Sequence, residues 1–295
     1  MILSIISIHP EINAQTINRL AKKASPEVVA KNMYRGGKTA VQTATHLKTK
    51  MRQNSLQTSA VIKTVYGRLV NTPSKALDVL KGARYKAHDV FKALKAVHNT
   101  SSLQSAQLLK SKYNSSANNS VSILHSAGYT IPQIVTAMKS PPYSANPVTI
   151  TKFLKSSTNA SQLNIIRALK NNGYNRIEIY GGIFSSYRPN LETTLRNFRN
   201  AGYSFLQILD IFRTRNSGTF CQCNRAGHIR IIKRVGATAA EARAWLIHTG
   251  ALPEGYMRDY RNIYGLAVNQ VRSIGGQAQN LIGNHMSHEN CTRNY

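Results

Sequence analysis

Apolar side chains recur along this chain in pairs three or four residues apart. Val90 precedes Leu94, Val121 precedes Leu124, Ile134 precedes Met138, Ile150 precedes Leu154, and Ile165 precedes Leu169. Tyr180, Leu195 and Ile208 lead in the same way into Phe184, Phe198 and Phe212. This spacing sets both members of a pair on one face of a helix. The second member, the anchor, is followed directly by a cation. The pairs are Leu47-Lys48, Ile62-Lys63, Leu80-Lys81, Leu94-Lys95, Leu109-Lys110, Leu124-His125, Met138-Lys139, Leu154-Lys155 and Leu169-Lys170, then Phe198-Arg199 and Phe212-Arg213 after a gap at Phe184-Ser185. Anchors fall about 15 residues apart, and fixed-period self-similarity marks a repeat protein.

The polar positions supply the boundaries. Eight residues before the anchors stand Ser25 (before Met33), Thr39, Asn54, Thr72, Ser101, Ser116, Thr130, Asn146, Ser161, Asn190 and Ser204. These are N-cap residues, whose side-chain oxygens accept orphan backbone N–H groups. Pro26, Pro73 and Pro147 follow three of them, at the first helical position, where proline loses no hydrogen bond. Two units break the pattern, with Lys86 and Arg176 in the cap position, and Asn175 lies beside the second. Each unit is therefore one helix of roughly 9–11 residues, too short to stand alone and expected to stack on its neighbours. Tyrosines punctuate the loops, several as Gly-Tyr: Gly128-Tyr129, Gly173-Tyr174 and Gly202-Tyr203. The glycines suit left-handed C-terminal caps. The tyrosines are expected to pack between adjacent helices, with base stacking as the alternative.

These patterns predict an all-α fold, a superhelical α-solenoid of short single-helix repeats of about 15 residues, with an irregular C-terminal helical cap. The regular array is expected over residues 1–213, with about 14 helices in all, and atypical repeats and the cap over 214–295. Met1-Ile2-Leu3-Ser4-Ile5-Ile6 is apolar but lacks a basic flank and a cleavage site, and reads as a packed segment rather than a secretory signal. No apolar run approaches the length of a membrane span.

Charge turns the fold into a functional expectation. The 295 residues hold 39 Lys+Arg against 11 Asp+Glu, a formal net charge of +28. No acid occurs between Asp89 and Glu178, a stretch with Lys92, Lys95, Lys110, Lys112, Lys139, Lys152, Lys155, Arg167, Lys170 and Arg176. So basic a surface repels itself unless an anion binds it, and nucleic acid is the commonest such partner. In a solenoid, one cation per helix becomes a regularly spaced line. Lys48, Lys63, Lys81, Lys95, Lys110, His125, Lys139, Lys155, Lys170, Arg199 and Arg213 are the candidate phosphate contacts. The competing reading is that each complements the dipole and carbonyls at a helix C-terminus.

Two resemblances bear on this. Ser25-Pro26-Glu27-Val28-Val29-Ala30 followed by Gly36-Gly37-Lys38-Thr39-Ala40-Val41-Gln42-Thr43 resembles a repeat of the transcription activator-like effectors. Ala127-Gly128-Tyr129-Thr130-Ile131-Pro132-Gln133-Ile134-Val135 is similar to the junction between their repeats. The resemblance implies a superhelix of two-helix repeats that wraps DNA and reads one base per repeat from the interhelix loop. It would place Tyr34 and Arg35 in a base-reading loop and Lys38 near a phosphate. The Gly-Gly-Lys loop occurs once in this chain. Over residues 169–212 the succession Leu169, Gly173-Tyr174, Ile179, Pro189, Leu195, Gly202-Tyr203 and Ile208 resembles the mitochondrial transcription termination factor repeat, which also implies nucleic-acid binding.

The expected function is nucleic-acid binding, DNA favoured over RNA, by a monomer that does not engage membrane. A structural component of a ribonucleoprotein or virion, and an adaptor for acidic protein or anionic lipid, are the alternatives. No catalytic constellation stands out, and the chain is not expected to be an enzyme. Cys221, Cys223, His228 and Cys291, with His285 and His288, offer donors for a structural zinc; separate thiols and surface histidines are the other reading. Three cysteines cannot all pair within one chain, which favours a reducing intracellular compartment, with nucleus or host cell, nucleoid and organelle undistinguished.

Overall fold

The computed structural model describes residues 24–208, 225–248 and 254–266, with single positions 211, 270 and 274. Among the described residues every regular element is a helix. They are α1 (Pro26–Arg35), α2 (Ala40–Thr49), α3 (Ser55–Tyr66), α4 (Pro73–Gly82), α5 (Ala87–His98), α6 (Ser102–Tyr113), α7 (Ala117–Ser126) and α8 (Ile131–Lys139). There follow α9 (Pro147–Thr158), α10 (Gln162–Asn171), α11 (Arg176–Tyr187), α12 (Leu191–Asn200), α13 (Arg225–Arg234), α14 (Ala239–His248) and α15 (Glu254–Tyr264). A further helical stretch runs over 205–208. Met1–Ile6 and the 213/214 change of register lie outside the described residues.

The N-termini form where the cap pattern places them. Ser25, Thr39, Asn54, Thr72, Ser101, Ser116, Asn146, Ser161 and Asn190 each accept a backbone N–H two or three residues into the helix. Gln42, Gln57 and Gln104 return the bond to the cap's own N–H, completing capping boxes. Lys86 begins α5 without a side-chain cap. The other irregular unit proves regular once its anchor moves by one residue. Ile183 is fully buried while Phe184 is 48% exposed, so Ile183 is the anchor of α11. Eight residues before Ile183 stands Asn175, which caps α11 in a box with Glu178.

Contacts divide the chain into two compact units, Met1–Ala137 and Met138–Tyr295. Within each, a helix touches its sequence neighbour and, often more extensively, the helix two along. In the first unit α1 packs on α3, α3 on α5, α5 on α7, and α2 on α4; in the second α9 packs on α11, α10 on α12, and α13 on α15. Each unit is thus a two-layered solenoid whose layers take alternate helices. The anchors fill the seam. Leu47, Leu94, Leu109, Leu124, Met138, Leu154 and Leu169 are all 0% exposed. The backbones of α9 and α11 approach closely. A Cβ on Gly182 would lie 2.8 Å from Thr151 Oγ1 and 3.0 Å from the Pro147 carbonyl oxygen, so only glycine fits there.

Candidate nucleic-acid interface

Among the described residues several helices end in the same backbone device. After α1, α4, α7, α10, α12 and α13 a residue of positive φ follows the cap: Gly37, Arg84, Gly128, Gly173, Gly202 and Gly236. The N–H beyond it reaches back to the anchor carbonyl, as in Tyr85 to Leu80, Tyr129 to Leu124, Tyr174 to Leu169 and Tyr203 to Phe198. The positive-φ residue donates to the carbonyl of the row cation, as in Gly128 to His125 and Gly173 to Lys170. This is the Schellman arrangement. It places each row cation in the last turn and each tyrosine just beyond it. Gly36-Gly37-Lys38 is one instance, with Lys38 N–H donating to Met33, so its geometry recurs although its sequence does not.

Most lysines of the row reach across to the end of the helix two along. Lys48 Nζ donates to the carbonyls of Ala83 (3.1 Å) and Arg84 (2.5 Å). Lys63 donates to Val97, Lys81 to Lys112, Lys95 to Gly128 and Lys139 to Asn172, each at 2.5 Å. Lys155 donates to Ser186 at 2.6 Å, and Lys170 to Ala201 and Gly202 at 2.9 and 2.7 Å. Lys233, outside the expected row, does the same to Ile263 at 2.5 Å. Each ammonium thus sits at the electronegative end of a neighbouring helix, where unpaired carbonyls and the dipole attract it. The glycines make room: a Cβ on Gly202 would lie 3.2 Å from Lys170 Nζ.

The tyrosines complete the clamp. Lys48, Lys81, Lys95, Lys139, Lys155 and Lys170 lie 4.4–4.8 Å from the ring centroids of Tyr85, Tyr113, Tyr129, Tyr174, Tyr187 and Tyr203. The far end of several rings then donates to the carbonyl just before the cap of the intervening helix. Tyr85 Oη donates to Gln53 (2.8 Å), Tyr129 to Thr100 (2.5 Å), Tyr174 to Ala145 (2.8 Å) and Tyr187 to Ala160 (2.7 Å). One lysine and one tyrosine therefore tie three successive helices. Burial raises these phenols above their ordinary range, Tyr203 to about 12. At the end of α5 the tyrosine's place is taken by His98. Burial, then the charge of Lys63, push its pKa below the ordinary value.

This arrangement accounts for the lysine period on structural grounds, and it divides the expected single line into two series. In the first unit Lys48 and Lys81 serve one layer, Lys63 and Lys95 the other. An ammonium has three donors and the clamp occupies one or two. Lys63, Lys81, Lys139 and Lys155 keep their side chains exposed, whereas Lys48, Lys95 and Lys170 are half-buried. Lys110 donates to Asn114 Oδ1 at 3.3 Å, and His125 is exposed. Arg199 is drawn to Glu241, 3.4 Å away. Arg213, Cys221, Cys223 and Cys291 lie outside the described residues, and so does the side chain of His228. Tyr34 is half exposed, its ring edge-on to Tyr66 at 4.9 Å, and Tyr66 Oη donates to the Lys38 carbonyl at 2.8 Å. Arg35 and Lys38 are exposed beside it.

Sequence reasoning missed the partner of each lysine. The signal was present: a tyrosine follows each of Lys81, Lys95, Lys155 and Lys170 by 32–34 residues, the length of two helices with their loops. It also named none of the following exposed cations as an individual phosphate contact. Lys50, Arg52, Arg68, Lys75, Lys92 and Lys152 stand on the surface outside the clamps. No protein-family model, curated protein or solved structure matches this chain.

Proposed function

We propose that this protein binds nucleic acid, duplex DNA first, by neutralising the phosphate backbone along its basic solenoid surface. The observation that carries the reading is the charge: +28 overall, with no acid from 90 to 177. The exposed ammonium groups of Lys63, Lys81, Lys110, Lys139 and Lys155 and the imidazole of His125 are proposed contacts, and the exposed Lys38, Lys50, Lys75, Lys92 and Lys152 are added to them. The half-buried Lys48, Lys95 and Lys170 add field rather than direct bonds, and Arg199 adds least because Glu241 offsets it. Arg213 completes the proposed set.

The fate of the tyrosines supports duplex over single strand. Binding of single strands relies on exposed aromatic faces on which bases stack. Here Tyr85, Tyr129, Tyr174 and Tyr187 are held by a lysine on the ring and a carbonyl on the hydroxyl. Backbone contact without stacking suits a duplex, and it implies modest sequence selectivity.

The test measures affinity for random duplex, single-stranded DNA and RNA over a salt series. If about eight cations meet duplex phosphates, the slope of log affinity on log salt is near −7. Changing Lys50, Lys75, Lys92 and Lys152 together to Gln should flatten that slope by about two to four units while leaving the thermal midpoint unchanged. These positions avoid the clamps, so lost charge is not confused with lost structure. Absence of salt-dependent binding by the unaltered protein overturns the reading.

A further inference from the structure

Near the end of the described chain one clamp lysine has unusual company. Row lysines are flanked, three residues before and one after, by Thr45 and Thr49, Ala60 and Thr64, Asp78 and Gly82, Thr136 and Ser140, or a single cation and a small residue as at Lys95 and Lys155. Lys233 alone has a cation in both places, Arg230 and Arg234. The spacing i, i+3, i+4 brings all three to one face of α13. That face lines an open groove of about 590 Å³, closed on its other side by Asn262 and Ile263 in the last turn of α15.

We propose that this groove is a seat for one phosphate group, bound as a tetrahedral oxyanion between the guanidinium groups of Arg230 and Arg234. Lys233 is held at the Ile263 carbonyl by one donor and points its remaining charge into the same groove. The nearest described carboxylate is peripheral. Glu192 Oε2 lies 3.8 Å from one Nη of Arg234, and its other oxygen accepts from Arg196 at 2.6 Å. Three cations therefore face the groove against a carboxylate already shared. Planar guanidinium groups match phosphate oxygens two at a time, which a lone ammonium cannot do. Asn262 adds an amide at the opposite wall.

The chemistry is common to a backbone phosphodiester and a small phosphorylated compound, and the site does not depend on the duplex reading. The probe is pyrophosphate, titrated into the full chain while the Arg Nε–H resonances are followed. A saturable one-site response confined to Arg230 and Arg234 is expected. Binding should weaken about tenfold or more in the combined Arg230→Gln and Arg234→Gln variant, with no change in thermal midpoint. Lys233 stays in place because it clamps α15. A response spread evenly over many arginines, or unchanged affinity in the variant, overturns the proposal. Displacement of pyrophosphate by duplex assigns the seat to a phosphodiester; binding of both together assigns it to a small compound. A chain that binds pyrophosphate here but no duplex keeps the groove and refutes the proposed function.

Discussion

Tyr129 and Tyr113 occupy equivalent places and differ in the bonding of their hydroxyls. Both rings lie under a lysine, yet the Tyr129 hydroxyl donates to the Thr100 carbonyl and accepts from Ser105 Oγ at 2.9 Å, while the Tyr113 hydroxyl is buried without a partner. Replacing both by Phe should separate the effects. Tyr129→Phe leaves a buried carbonyl short of its donor and should cost about 1–2 kcal/mol, whereas Tyr113→Phe should cost nothing or stabilise slightly. Urea unfolding of the two variants decides this; equal losses would show that the hydroxyl bond is immaterial. His98 offers a pH test. Its pKa is lowered in the fold, so below the ordinary value near 6.5 the unfolded chain takes up a proton that the folded chain resists. The contribution is complete above that pH and is lost as pH falls through the window. Imidazole resonances should titrate below the ordinary value, and Lys63→Met should move them back towards it. A titration at the ordinary value would contradict the buried placement.

At the level of the helix, the caps were legible and the clamps were not. Ser, Thr and Asn eight residues before an anchor identify a helix start because the capping bond is local, spanning three residues. The lysine's acceptor is a backbone carbonyl about two helices away, and carbonyls carry no sequence identity. Position after the anchor marks the lysine but not what it touches. The α11 register failed for a related reason. Ile183 and Phe184 are both large and apolar, and it is in the packed structure that Ile183 is buried and Phe184 left half exposed, stacked on Tyr180. Glycine at the helix ends is constrained twice over. Gly202 has φ +80° and faces Lys170 Nζ, so Gly202→Ala should cost about 1–2 kcal/mol, read as a fall in the thermal midpoint. In contrast Gly37, of similar φ with nothing near its missing Cβ, should lose only the conformational part, about 1 kcal/mol.

For the whole chain, two properties depend on the same lysine–tyrosine pairs. One is response to alkali. The raised phenols mean that above pH about 10 the unfolded chain releases protons that the folded chain keeps, so stability falls as pH climbs towards the raised values. Equilibrium unfolding just below and above pH 10 should show that decline, and a flat profile would show that the phenols do not couple to folding. The other is the charge available to a polyanion. A net charge of +28 was legible from composition alone, but composition could not say which ammonium groups are already committed. Lys81 and Lys139 are bound to carbonyls, and Lys75 and Lys152 are outside the clamps, though all four are lysines on exposed helix surface.

Because the bridging chemistry is the same in either layer, a single helix is an interchangeable part. Excising residues 86–100 would join Tyr85 to the cap Ser101 and remove α5 whole. Lys63 would then meet the end of α6 with Tyr113, and Lys81 the end of α7 with Tyr129, so both would still find a carbonyl and a ring. Such a shortened chain should still melt cooperatively. A lineage of these proteins can accordingly lengthen or shorten by single-helix duplication or loss, with no need to preserve an even number.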